Sequence, residues 1–265
     1  MDIKRPILQD LLAHLHRQEI TVIIGPRQVG KTYLMRQLQK NVELQNQKTV
    51  FLNLDIEDHR HYLQSQAGFI AYLHLQLGNQ RGVVFLDEIQ RMENAGIFLK
   101  GLFDMNVPYK FVVSGSGSLD IKAHIKESLA GRKRVFEISP LSFPDFVNFK
   151  TEYQFENRLE EFFQVEQVQN LRLLDEYIKF GGYPKVILAQ TSEDKKIEIA
   201  EIYSSYIELD IAGLLHVEKS DKFSSLLRII ASQIGQLINV SELSSTLGLS
   251  HQTVQKYLWY LEETF

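Results

Sequence analysis

A chain of 265 residues that is 44% hydrophobic and 23% charged, with 15 Gly and 6 Pro, has the make-up of an ordinary globular protein and excludes collagen-like and disordered classes. Its formal net charge of −4 is uneven: 19 Lys/Arg face 15 Asp/Glu over residues 1–150, 7 face 14 over 151–219, and 3 face 4 over 220–265, so overall charge gives no support to polyanion binding. Zero Cys removes disulfides and thiolate chemistry, no apolar run approaches the roughly 18 residues of a membrane-spanning helix, and the N-terminus lacks a signal-peptide pattern; a cytoplasmic protein without a membrane partner is expected.

In chain order, short β-branched and aromatic runs at 20–24, 49–54, 83–86, 111–113 and 134–138 alternate with amphipathic stretches at 31–40, 69–77 and 97–104. The runs are apolar and bounded by turn residues, as strands buried on both faces are. They predict an α/β domain with a parallel sheet over residues 1–150, closing near Pro140 and Pro144. Residues 151–219 read as a helical segment, because Leu171, Leu174 and Ile178, then Ile199, Ile202, Tyr206 and Leu209, recur at helical spacing; 151–170 gives no clear element.

Residues 220–265 suit helices at 223–236, at 241–247 with Ser241 as N-cap, and at 251–262 with Ser250 as N-cap, Gly248 sitting in the turn between the last two. That is helix-turn-helix spacing. Val254, Tyr257, Leu258 and Leu261 form the inner stripe of the third helix, which turns His251, Gln252, Gln255 and Lys256 outward as a candidate nucleic-acid face. A packing or protein-interaction role is the alternative. A winged helix continues into a β-hairpin, so the natural protein is expected to be longer.

The chemistry concentrates at Gly25, Pro26, Arg27, Gln28, Val29, Gly30, Lys31 and Thr32, which fit G-x-x-x-x-G-K-[ST] between a strand and a helix. Such a loop curls its amides around phosphate oxygens at a helix N-terminus. Lys31 is placed to bridge the β- and γ-phosphates and Thr32 to ligate Mg2+. The apolar run 83–86 ends in Asp87 and Glu88, the first suited to the Mg2+ shell and the second to activating water as general base. No Asn-Lys-x-Asp tetrapeptide occurs, which favours ATP over GTP. Ser114 and Ser116 end the strand at 111–113 and suit γ-phosphate sensing if that strand lies between the other two, or else form a plain Gly/Ser turn. Arg132 is a candidate for stabilising transferred charge, in cis or in trans, or a solvated basic turn. Gly181-Gly182-Tyr183-Pro184 breaks the helical region and, by spacing alone, is a helix–helix turn.

Together the phosphate loop, the FLDEIQR strand, SGSGS, SLAGR, SPLSFPDF, GGYP and the terminal TLGLSHQTVQKYLWYLEE resemble the AAA+ P-loop ATPases of bacteria and archaea that carry a helical lid, a winged helix and a C-terminal domain of unknown function. The resemblance implies a parallel-sheet P-loop domain followed by those segments, an ATP-hydrolysing switch or motor dependent on Mg2+, and an ATP-liganded DNA-binding regulator as the alternative. It implies that Pro184 packs against adenine and that Arg5 and Pro6 lie near the base. DNA, an unidentified protein and further copies of the chain are its implied partners, and the C-terminal domain of unknown function is expected to lie outside this sequence.

Overall fold

The computed structural model describes residues 2–116, 129–208, 211 and 220–264. Helix α1 (Ile7–His14) precedes β1 (Ile20–Gly25), then come α2 (Lys31–Leu44), β2 (Thr49–Asn53), α3 (Glu57–His61), α4 (Gln66–Leu77), β3 (Gly82–Asp87), α5 (Ala95–Asp104), β4 (Tyr109–Ser116) and β5 (Lys133–Glu137). The strands form one parallel sheet in the order β2-β3-β4-β1-β5. Every residue of β1 and β3 is buried, as two covered faces require.

Alternation along the strands builds two cores, because successive side chains point to opposite faces. Ile20, Val22 and Ile24 of β1, with Val84 and Leu86 of β3, pack against Phe69, Leu73, Leu99 and Leu102 of α4 and α5. Ile23, Val83 and Phe85 face the other way, against Leu11 of α1 and Leu34, Met35 and Leu38 of α2. Each strand anticipated from sequence is present and differs by one to three residues at its ends.

Beside the second core, α1 carries a buried histidine. His14 Nδ1 and Thr21 Oγ1 are 2.8 Å apart, and the Lys110 ammonium approaches to 3.5 Å. Burial, helped by the Lys110 charge, lowers the His14 pKa from 6.5 to about 4. A histidine kept neutral in the fold and free to charge when unfolded contributes stability that is present above pH 6.5 and is lost as pH falls toward about 4. The urea midpoint is therefore expected to drop between pH 7 and pH 4.5, and by less in His14→Gln; an equal drop in both proteins would refute the assignment.

The remainder is helical: α6 (Phe143–Lys150), α7 (Leu159–Val165), α8 (Gln167–Phe180), α9 (Pro184–Leu188), α10 (Ser192–Ser205), α11 (Ser220–Ser232), α12 (Val240–Leu247) and α13 (His251–Thr264). Helix α6 opens with a capping box in which the Ser142 hydroxyl accepts from Asp145 N–H. It buries Phe146 and Val147 with Ile3, Leu141, Phe162 and Ile187 rather than against the sheet. The stretch with no legible element, 151–170, forms turns, α7 and the start of α8, with Glu152 and Tyr153 at φ 53° and 63°.

Helices α11 to α13 have their own core, where Phe223, Leu226, Leu243, Leu247, Val254, Tyr257 and Tyr260 meet. Two details differ from expectation. Helix α11 spans Ser220–Ser232, shorter at its C-terminal end than anticipated, and Gly235 adopts φ 84° shortly after. The cap of α12 is Asn239, not Ser241, since the Asn239 side chain accepts from the Ser241 and Glu242 amides at 3.0 and 3.3 Å and so satisfies two orphan donors at once. The Ser250 hydroxyl accepts from Thr253 N–H as the cap of α13, and Gly248 takes the left-handed turn at φ 63°. No strand follows Glu137 among the described residues, and none of their helices is long and apolar enough to cross a membrane.

Candidate functional site

The site lies at the carboxyl ends of β1, β3 and β4. Gly25 closes β1 with φ 154°, and a Cβ there would stand 2.2 Å from the Ile138 carbonyl oxygen, so the loop can pass β5 only as glycine. Gly30 takes φ 100° and ψ 23° as N-cap of α2, and no protein atom lies within 4 Å of where its Cβ would project. The chain thus turns with its backbone open toward the helix N-terminus, where unpaired amides and the positive dipole end favour an anion. Val29 is fully buried in the second core and anchors the loop, leaving only its backbone for a ligand.

Lys31 is buried, its ammonium donating to the Gly25 and Pro26 carbonyls at 2.9 and 2.8 Å. The Thr32 hydroxyl donates to Asp87 Oδ2 at 2.7 Å across 55 residues of sequence. Asp87 is fully buried, and its other oxygen accepts from the Ser114 hydroxyl, which also accepts weakly from Glu88 N–H at 3.4 Å. Strand β4 lies between β3 and β1, so the condition set on Ser114 from sequence is met. Ser116 pairs with Gly25 through its backbone, while its side chain lies outside the described residues.

Glu88 follows in the left-handed region, φ 59° and ψ 46°. Burial pushes its carboxyl above the usual carboxylate range, against the opposing pull of the Lys31 charge and of a hydrogen bond from the Gln90 amide. The donor set fits a metal–triphosphate: a hydroxyl and a carboxylate in contact, a buried ammonium, and a glycine loop at a helix N-terminus.

Two cavities flank the loop. One, of about 460 Å3, is lined by Gln28, Gly30, Lys31, Thr32 and Glu88 and, from the helical part, by Lys185 and Ser205. Lys185 lies 3.6 Å from Glu198 and 3.9 Å from Glu201. Gln28, at φ 61°, donates through Nε2 to the Ser205 hydroxyl at 3.4 Å, so loop and α10 touch directly. The other cavity, about 500 Å3, is lined by Pro26 and Arg27 and by Phe180, Tyr183, Ile202, Tyr203, Tyr206 and Leu227. Its apolar and aromatic walls suit a planar heterocycle.

Three further candidates from the sequence are placed as follows. Arg132 sits at the amino end of the sheet, where its carbonyl accepts from Ile20 N–H and its guanidinium pairs with Asp104 at 2.8 Å. The phosphate loop leaves the opposite end of β1, about 16 Å away at roughly 3.3 Å per residue, so Arg132 does not reach the loop of its own chain. Pro184 occupies the first turn of α9 and lines neither cavity; its neighbours Tyr183 and Lys185 do. Arg5 stands behind the loop, donating to the Ser139 carbonyl and, at 3.5 Å, to that of Val29, while Pro6 starts α1. The side chains of His251, Gln252, Gln255 and Lys256 are all exposed on one face of α13, far along the chain from this site.

Sequence reasoning missed Lys185 and Tyr203 as cavity-lining residues, and read Ile202 and Tyr206 only as a recurrence at helical spacing. Helical periodicity marks an apolar face but not whether a partner element or a ligand covers it.

The AAA domain family matches residues 17–147. A family described only as a domain of unknown function matches 171–265, so a domain of that description lies within this chain, contrary to expectation. An uncharacterized protein of Methanocaldococcus jannaschii is 26% identical over 98% of this chain and 58% of its own length. One of Haemophilus influenzae is 28% identical over 97% and 64%. The chain thus spans about half to two thirds of these curated relatives. Among solved structures, the Aeropyrum pernix ORC1 protein in complex with DNA matches with TM-score 0.43 and 14% identity, covering 99% of this chain and 84% of that one. AMPPCP-bound DnaA from Aquifex aeolicus gives 0.39 and 16%, covering 97% and 86%. Residues 17–147, which carry the glycine loop and the acidic strand end, thus match the AAA domain family.

Proposed function

We propose that the chain binds ATP with Mg2+ and hydrolyses it as a molecular switch, its α/β part (1–150) closing on a helical lid (151–219) that moves a helix-turn-helix segment (220–265). The observation that carries this is the 2.7 Å contact between the Thr32 hydroxyl and the buried Asp87 carboxylate beside a glycine loop, a pair suited to one magnesium shell. Bound Mg2+ would neutralise charge on the β- and γ-phosphates.

The chain's own residues supply the rest. The loop amides and Lys31 orient the phosphates, Glu88 accepts a proton from water, and Ser114 keeps Asp87 in place. The base rests among Tyr183, Tyr203 and Tyr206, and Lys185 leaves Glu198 and Glu201 for the γ-phosphate as the lid closes.

A second reading, an ATP-liganded DNA-binding regulator with little turnover, draws on the exposed face of α13. One experiment separates them: steady-state ATPase of the purified chain with and without duplex DNA across protein concentration, beside Glu88→Gln. Hydrolysis in the wild type, falling about 10²- to 10⁴-fold in Glu88→Gln with ATP affinity kept, is expected. Negligible turnover in both proteins, with ATP-dependent DNA affinity, would favour the regulator. Specific activity rising with concentration would point to contacts between copies.

A further inference from the structure

The larger cavity has a third wall. Besides Pro26 and Arg27 of the loop and the aromatic residues of the helical part, Leu227, Arg228 and Ala231 of α11 line it. Their spacing puts them on one face of the helix, where Leu227 is half-buried and Arg228 and Ala231 are open to solvent. The adjoining stripe of α11, Phe223, Leu226 and Ile230, faces the core shared with α12 and α13. Tyr206, at the end of α10, does both: it lines the cavity and is buried in that core. Arg27 lines both cavities, and the loop runs from Pro26 in the larger to Thr32 in the smaller. A nucleotide whose phosphates lie against Lys31 and Thr32 therefore directs its nucleoside into the cavity that α11 helps to wall. Arg228 pairs with no carboxylate among the described residues, which leaves its charge available there.

We infer that the helix-turn-helix segment is itself part of the nucleotide site: Leu227 and Ala231 pack against the bound nucleoside, Arg228 sets its guanidinium against the base, and occupancy thereby fixes α11 to α13 directly. This rests on the nucleotide-binding reading above. Apolar walls favour a planar ring through burial, and a guanidinium adds attraction to its π-face. A nucleoside held by loop, helical part and α11 together binds best to the arrangement in which all three are present. Its preference for that arrangement is the free energy that holds α11 against the loop. The smaller cavity has no residue of α11 in its lining, so phosphates alone supply none of this preference.

The test compares Mg-ATP with Mg-tripolyphosphate, which carries the phosphates without the nucleoside, on the full chain. Amide hydrogen exchange in α11 to α13 is expected to slow by roughly 5- to 150-fold with saturating Mg-ATP, the usual span of coupling between two sites, and to stay unchanged with saturating Mg-tripolyphosphate. Ala231→Trp places a ring in the cavity from an exposed position, and should weaken ATP binding by about 10-fold or more with tripolyphosphate affinity and the thermal midpoint kept. Arg228→Ala should weaken ATP binding by roughly 2- to 30-fold, the worth of one cation against a ring. Unchanged exchange in α11 with ATP bound, equal slowing by tripolyphosphate, or wild-type ATP affinity in both variants would each overturn the inference. Wild-type ATP affinity in Lys31→Ala would instead remove the phosphate-loop reading beneath it, so the two failures are told apart.

Discussion

Lys31→Ala is expected to weaken Mg-ATP binding by on the order of 100- to 1,000-fold, measured by calorimetry or by a fluorescent ATP analogue. Loss of one partner from a desolvated charge contact costs roughly 3–4 kcal/mol, and each 1.4 kcal/mol is tenfold in affinity. The fold should survive. The Lys31 ammonium rests on the Gly25 and Pro26 carbonyls, but the loop is also held by Val29 in the core and by the Ile138 amide on the Ile24 carbonyl at 2.7 Å. Near-normal affinity with an unchanged thermal midpoint would mean that the glycine loop is not where the triphosphate sits.

The second large effect belongs to stability. At Gly182 a Cβ would stand 2.1 Å from the Leu141 carbonyl oxygen and 3.1 Å from the Leu141 carbonyl carbon and amide nitrogen. The close approach exists because Leu141 N–H donates to the Gly182 carbonyl at 2.8 Å, pinning the turn before α9 to the chain that leaves β5. Tyr177 adds a second tie, its hydroxyl donating to the Leu141 carbonyl at 2.7 Å. Backbone cannot retreat as a flexible side chain would, so Gly182→Ala is expected to cost roughly 3 kcal/mol in chemical denaturation, the upper part of the range for overpacking. The neighbouring Gly181→Ala meets no atom within 4 Å but must hold φ 77° with ψ −171°, a backbone region open essentially to glycine alone, and should cost roughly 1–3 kcal/mol. Equal, small losses at both positions would show that the contact with Leu141 is not the constraint.

What the sequence made legible follows from what each signal depends on. The strands were readable because β1 and β3 are buried on both faces, which writes them as continuous apolar runs. The phosphate loop and Asp87 were readable because each is a local pattern at a strand end. The stretch 151–170 was not: its turns place Glu152 and Tyr153 in the left-handed region without glycine, and its aromatic residues pack on one another and on other elements at no regular spacing, as when Phe155 meets Phe162 at 4.8 Å and Phe143 stacks on Phe163 at 5.8 Å between ring centroids. Arg132 directly precedes β5, which in a parallel sheet puts it at the end opposite the glycine loop of its own chain. Lys185 and Tyr203 were invisible as site residues because the cavities they line exist only once the helical part has packed over the loop.

The first few residues carry a consequence beyond packing. Ile3 is buried among residues of the helical part, the Lys4 amide donates to the Tyr153 hydroxyl at 2.7 Å, the Lys4 ammonium pairs with Glu156 at 2.7 Å, and Arg5 grips the outer side of the phosphate loop. Three consecutive residues, Ile3, Lys4 and Arg5, therefore tie the helical part to the back of the glycine loop. An affinity tag spliced directly ahead of Asp2 would sit beside that tie, so motion of the helical part against the loop is better measured with any tag at the carboxyl end.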